Sequence, residues 1–164
     1  MRKQDGINIL VVDDDLETRN LLRELLSEEG YKVTVSASGE DALEVGKQEL
    51  FDVIISDMKL GPELSGLDVL RAYKSIQPES EVILITAFGS MESAIEAVKA
   101  GAFDYISKPF KLDEVLLQVG RALQNRSLIR ENRNLKRQLE SQAGIQSLVG
   151  RDPGMVEIYK KIAI

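Results

Sequence analysis

The feature that most constrains this chain is a rhythm. Five short apolar runs, Ile7–Val12, Tyr31–Val35, Val53–Ile55, Val82–Ile85 and Phe103–Ile106, begin 24, 22, 29 and 21 residues apart. Each has strand length, and each is continuous rather than alternating, the mark of a strand buried on both faces. Segments with helical spacing lie between them. The first carries Leu22, Leu25 and Leu26 and closes at Gly30; the third carries Leu67, Leu70, Tyr73 and Ile76 and stops before Pro78. The fourth carries Ile95 and Val98 and closes at Gly101. Glycine just past a helix and proline shortly after one are stop signals. Strand–helix alternation of this kind requires crossover connections and a parallel sheet. The expected fold is therefore a five-stranded, doubly wound α/β domain ending near residue 120.

Composition removes several kinds of chemistry. The 164 residues contain no cysteine and no histidine, which excludes thiolate and imidazole metal sites and Ser-His triads. Charge is uneven: residues 1–118 hold 12 Lys+Arg against 23 Asp+Glu, while residues 119–142 hold 6 against 2. The acidic block argues against direct nucleic-acid contact. No apolar run approaches the ~20 residues that span a bilayer. The polar opening, Met1 to Gly6, is not a secretory signal, so no membrane association and a cytoplasmic location are expected.

Ligands of doubly wound sheets bind beyond the carboxyl ends of the strands. After the first run come Asp13, Asp14 and Asp15; after the third, past Ser56, comes Asp57; after the fourth, Thr86; after the fifth, past Ser107, Lys108 and Pro109. Asp15 also suits the N-cap of the helix that follows. If the first and third strands are neighbours, three carboxylates converge, and such a cluster calls for a neutralising cation. Oxygen-only ligands suit Mg²⁺ better than zinc. A carboxylate can also act as a nucleophile toward a phosphoryl donor, with Lys108 as a fixed cation and Thr86 as a hydroxyl donor to a phosphoryl oxygen.

Past residue 112 the helical pattern has no proline before Pro153, and one long helix is expected up to a break at Ala143-Gly144. Its distal half fits heptads with Asn125, Asn132 and Leu139 at a and Leu128, Leu135 and Gln142 at d. Asp152-Pro153 reads as the opening of another helix, with Met155, Ile158 and Ile162 as its apolar stripe. That stripe reaches Ile164 without a stop, the pattern expected of a piece cut from a longer protein.

The segments Ile9 through Asp15, Ser56-Asp57-Met58, Thr86-Ala87 and Lys108-Pro109-Phe110 closely resemble the receiver domain of two-component response regulators, in order and spacing over residues 5–122. The resemblance implies a flavodoxin-like sheet of order 2-1-3-4-5. It implies that Asp57 is the phosphoacceptor, supplied by a cognate sensor histidine kinase. It further implies that Asp14, Asp57 and the Lys59 carbonyl bind Mg²⁺, with Asp13 assisting through water. Thr86, Ala87 and Lys108 would contact the phosphoryl group, Thr86 and Tyr105 would form a switch pair, and Lys108-Pro109 would be a cis peptide. The stretch Thr86 to Tyr105 and the helix around Arg130-Glu131-Asn132 resemble NtrC-type regulators more narrowly. Leu148 through Met155 resembles the opening of the AAA+ domain in sigma-54 activators. The implied organisation is a receiver at 5–122, a coiled-coil linker helix at 123–143 and the start of an AAA+ domain at 144–164. Leu128, Asn132, Leu135 and Leu139 would form the seam of a homodimer that governs the AAA+ domain. The loop Gly61 to Gly66 is one residue longer than the family's usual form, and Asp152 stands where serine is common.

Two other readings compete. A haloacid-dehalogenase-like phosphatase also uses an Asp after a first strand, but Leu16 stands where Thr or Val is expected and Asp57 has no role in that scheme. A phosphate-independent pseudo-receiver would be expected to lack one of Asp14, Asp57 and Lys108; all are present. No GxxxxGKS/T phosphate loop occurs, so ATPase activity is not expected of these residues.

Overall fold

A computed structural model describes residues 6–87 and 91–150, with side chains as far as 141. Expectations for residues 151–164, including the Asp152-Pro153 helix start, and for the side chain of Gln142 lie outside the described residues. The elements are β1 (Asn8–Val12), α1 (Leu16–Glu28), β2 (Lys32–Ser36), α2 (Gly39–Gly46), β3 (Val53–Asp57), α3 (Gly66–Ile76), β4 (Glu81–Thr86), α4 (Met91–Lys99), β5 (Asp104–Ser107) and α5 (Leu112–Gly150). The strands form one parallel sheet in the order β2-β1-β3-β4-β5. The apolar rhythm predicts a five-stranded parallel sheet, and the strand order is the flavodoxin-like one implied by the receiver resemblance.

The continuous apolar strands are continuous because both faces are covered. Along β3, Val53 and Ile55 pack against Leu22 and Leu26 of α1 and Val115 and Val119 of α5. Ile54 faces the other way, toward Val69, Leu70 and Tyr73 of α3 and Ala42 of α2. Each such side chain, fully withdrawn from water, contributes roughly 1.5–3 kcal/mol. The glycine stops operate as expected. Gly30 and Gly101 have positive φ, +98° and +100°, and the amides just past them, Tyr31 and Ala102, return to Leu26 O and Ala97 O.

Three expectations need correcting. Ile95 and Val98 of α4 do not face the core; they are 47% and 62% exposed, and α4 rests on the sheet through the small Ala97. Ile76, in the last turn of α3, is also largely exposed. The long helix does not break at Ala143-Gly144 but continues to Gly150. A lone interior glycine costs about 1 kcal/mol relative to alanine, too little to stop a helix without a proline nearby. The chain divides into two compact units, Met1–Arg126 and Ser127–Ile164.

Candidate functional site

Strand register brings the polar residues to one level. Val12 is paired with Ser56, Asp57 with Ile85, and Thr86 with Ser107. Asp13, Asp57, Thr86 and Lys108 therefore all lie at or just past the carboxyl ends of adjacent strands. Backbone bonds extend the ladder one step further, from Asp13 N to Ser36 O (3.1 Å), Met58 N to Ile85 O (2.7 Å) and Lys108 N to Thr86 O (2.7 Å). The Lys108–Pro109 peptide is cis.

Lys108 reaches over the sheet edge. Its Nζ donates to Asp57 Oδ2 at 3.1 Å and stands 3.6 Å from Asp13 Oδ2. The second distance is that of an ion pair, not a hydrogen bond. Asp13 is almost wholly buried; its Oδ1 accepts the Asp15 amide at 2.8 Å, while Oδ2 accepts no hydrogen bond. Burial, above all, raises the Asp13 pKa; the Asp57 and Asp14 charges add to that, against the Asp15 amide and Lys108. Burial disfavours the Lys108 charge, but its hydrogen bond to Asp57 and the Asp13 charge outweigh that and move its pKa up, so the cation is held firmly. The exposed Asp15 caps α1, accepting from the Thr18 hydroxyl (2.6 Å) and amide (3.2 Å), which lower its pKa.

One carboxylate oxygen from each of Asp13, Asp14 and Asp57 lies within 4.8 Å of the others. These are hard oxygen donors that repel one another unless a cation sits among them. Asp13 Oδ2 is buried, accepts no hydrogen bond and has the Lys108 ammonium 3.6 Å away, which leaves it acceptor capacity. The residues present thus fit a small divalent cation with bound water. Beside the cluster opens a pocket of about 260 Å³ lined by Asp14, Asp57, Met58, Lys59, Thr86, Ala87 and Ser93. Thr86 is buried, whereas Tyr105 on β5 is 36% exposed.

Sequence reasoning missed several contributors. Met58 and Ser93 line the pocket. Gly66, the first residue of α3, donates to Met58 O at 2.8 Å, and a Cβ there would overlap the Asp57 carbonyl. The signal for Gly66 was available: glycine directly after Ser65, an N-cap paired with Asp68 in a capping box. Along α5, Leu128 and Leu135 are 58% and 52% exposed, Asn132 is exposed and Leu139 partly so. Asn125, expected at a heptad a position, instead points its amide toward Glu81 Oε2 at 3.5 Å.

Residues 9–119 match the response regulator receiver domain. The chain belongs to that family. This receiver is 34% identical to a solved response regulator receiver domain protein from Clostridium thermocellum, with a TM-score of 0.70, covering 75% of this chain and 98% of that one. It is 37% identical to the solved receiver domain of NtrX from Brucella abortus, TM-score 0.67, covering 71% and 98%. Among curated relatives, the transcriptional regulatory protein ZraR of Escherichia coli K12 is 35% identical over 160 residues, covering 98% of this chain and 35% of the relative. Within the family, the receiver falls among the NtrC-like regulators of two-component systems. The chain spans about a third of the length of the curated relatives it matches. Family membership removes the haloacid-dehalogenase reading, because a receiver is a regulatory module. No helix among the described residues is long and apolar enough to cross a membrane.

Proposed function

We propose that this receiver is a phosphorylation switch in which Asp57 accepts a phosphoryl group from the phosphohistidine of a sensor kinase. A carboxylate oxygen of Asp57 attacks phosphorus; the P–O bond forms as the P–N bond of the donor breaks, and the leaving imidazole keeps the electron pair. The observation that carries this reading is Lys108 Nζ, 3.1 Å from Asp57 and 3.6 Å from Asp13. It is a fixed cation where negative charge must be held while a phosphoryl group transfers. Asp14, Asp57 and the Lys59 carbonyl would hold Mg²⁺, with Asp13 acting through water, and the ion would neutralise charge on the transferring group. Thr86 and the Ala87 backbone would meet the phosphoryl oxygens. With acetyl phosphate and Mg²⁺, intact mass should rise by one phosphoryl group in the wild type and not at all in Asp57→Asn. An unmodified wild type would point instead to a phosphate-independent interaction domain.

The output follows from the same reading. A phosphoryl group on Asp57 draws the Thr86 hydroxyl inward and frees space for the Tyr105 ring; only such differential contacts can shift a two-state balance. Leu128, Asn132, Leu135 and Leu139 pair with a second copy, the asparagine fixing register at some cost in stability. In a full-length, cytoplasmic sigma-54 activator this would control an attached AAA+ domain. The exposed Leu128 and Leu135 support the seam. Sedimentation should show a dimer at tens of micromolar that Leu128→Asp/Leu135→Asp abolishes. Its response to phosphorylation should vanish in Thr86→Ala. A monomeric wild type under both conditions rejects the seam.

A further inference from the structure

Arg19 stands outside the pocket lining and outside the carboxylate cluster, yet it is tied to the cluster through the Asp13 backbone. It occupies the first turn of α1, where its own amide bonds Asp15 O at 3.0 Å. From there its Nη1 turns back and donates to the Asp13 carbonyl at 2.9 Å. Asp13 is then fixed at three atoms: its amide on Ser36 O, its Oδ1 under the Asp15 amide, and its carbonyl under Arg19. The Asp13 carbonyl and the Asp14 amide belong to one rigid peptide plane. Holding that carbonyl sets the plane from which Asp14 leaves the chain. Asp14 is exposed, so packing does not fix its side chain, and the backbone plane sets the direction of the Cα–Cβ bond from which its carboxylate rotamers start. The neighbouring Arg23, one turn further along α1, pairs with Asn20 Oδ1 and not with the loop.

We propose that Arg19 is the positioning residue of the acidic cluster: by gripping the Asp13 carbonyl it aims Asp14, and holds Asp13 Oδ2 inward, for a divalent cation. The proposal rests on the metal role assigned above to Asp13, Asp14 and Asp57. Arg19 touches neither the cation nor the phosphoryl group. It acts through the backbone, as residues that orient metal ligands commonly do, and loss of such a partner typically weakens metal affinity 10–100-fold. Lysine can reach the same carbonyl with a single donor but lacks the planar fork, so Arg19→Lys should retain part of the effect.

The test is calorimetric titration of the chain with magnesium chloride alone, with no phosphodonor present. Arg19→Ala should weaken Mg²⁺ binding about tenfold or more, Arg19→Lys by less, and Arg23→Ala by no more than about twofold. Thermal unfolding in excess chelator separates site from scaffold: Arg19→Ala should melt close to wild type there and fall behind only when Mg²⁺ is added. If Arg19→Ala does not fold, the Arg19→Lys affinity carries the test. Wild-type binding matched by both Arg19 variants overturns the positioning role while leaving the metal reading intact. A wild type that binds no Mg²⁺ removes the metal reading, and the inference with it.

Discussion

The two edges of the sheet both gather acids around a cation, and they treat them oppositely. At the amino edge, Asp52 Oδ2 accepts the Asn8 amide at 2.8 Å and Oδ1 is paired with the Arg126 guanidinium, whose Nε donates to Glu79 O at 3.0 Å. Beside them Gln77 is buried, and its side chain is saturated. Oε1 takes the Phe51 amide and the Ser80 hydroxyl, and Nε2 gives to Gly46 O and Glu49 O, at 2.7–3.0 Å. At the carboxyl edge the accounting stays open. Among the described residues, three buried side-chain atoms lack a hydrogen-bond partner; two of them, Asp13 Oδ2 and Ser36 Oγ, lie there. A saturated polar cluster is scaffold. An unsaturated one, where burying an unbonded polar group costs about 1–3 kcal/mol, keeps acceptor capacity that a cation or donor could use. Acid count alone does not separate the two edges; hydrogen-bond saturation does.

The sharpest way to break this contrast is to open the amino edge. Arg126→Ala removes one partner of a largely buried pair, with side chains only 12% and 19% exposed, and leaves the Asp52 charge with the Asn8 amide but no cation. It should cost about 3 kcal/mol in denaturant unfolding while leaving the rate of phosphoryl uptake from acetyl phosphate unchanged. An Arg126→Ala chain as stable as wild type would make the amino edge as open as the other and remove the distinction.

How much of this was visible in the sequence divides along the same line. The sheet was legible because both-face burial writes continuous apolar runs, and the carboxyl-edge residues because each closes or soon follows a strand. The amino-edge cluster was not. Asp52 and Arg126 are 74 positions apart, and nothing local marks either as the other's partner. The short α2, eight residues with Gly39 and Ala42 as its buried positions, shows too little apolar periodicity to be read. In α4 the large apolar residues advertised a core face that the structure gives to Ala97. Arg19 was unreadable for a different reason: a side chain that grips a backbone carbonyl leaves no pattern in residue types.

A second perturbation tests whether the open edge tolerates crowding. Gly66→Ala sets a methyl against the Asp57 carbonyl and 2.9 Å from Met58 Cα, backbone atoms that cannot swing aside. The expected loss is about 1–3 kcal/mol. Unlike Arg126→Ala, it should also slow phosphoryl uptake, because the shift is imposed on the backbone of Asp57 itself. Loss of stability with an unchanged rate would show that the β3 terminus and the site move independently.

The smallest effect is also the one that asks whether saturation or location governs the response to acid. Asp68 lies on the carboxyl side of the sheet, yet one of its carboxylate oxygens is fully engaged. Its Oδ2 accepts the Ser65 amide at 2.9 Å and the Ser65 hydroxyl at 3.1 Å, while the Asp68 amide returns to Ser65 Oγ at 3.2 Å. Those bonds, the amide first, lower its pKa below the ordinary 3.8. A carboxylate whose folded pKa is depressed stabilises the fold above its unfolded value and loses that contribution as pH falls toward the folded one. Asp68→Asn keeps the shape but weakens both acceptor bonds and the charge at the start of α3. It should cost about 0.5–1 kcal/mol at neutral pH, and the gap from wild type should close as the pH falls below about 4. Melting curves of the two chains from pH 7 to pH 3 provide the measurement. A gap that stays constant across that range would mean the capping geometry, rather than the charge Asp68 carries, holds α3 against the end of β3.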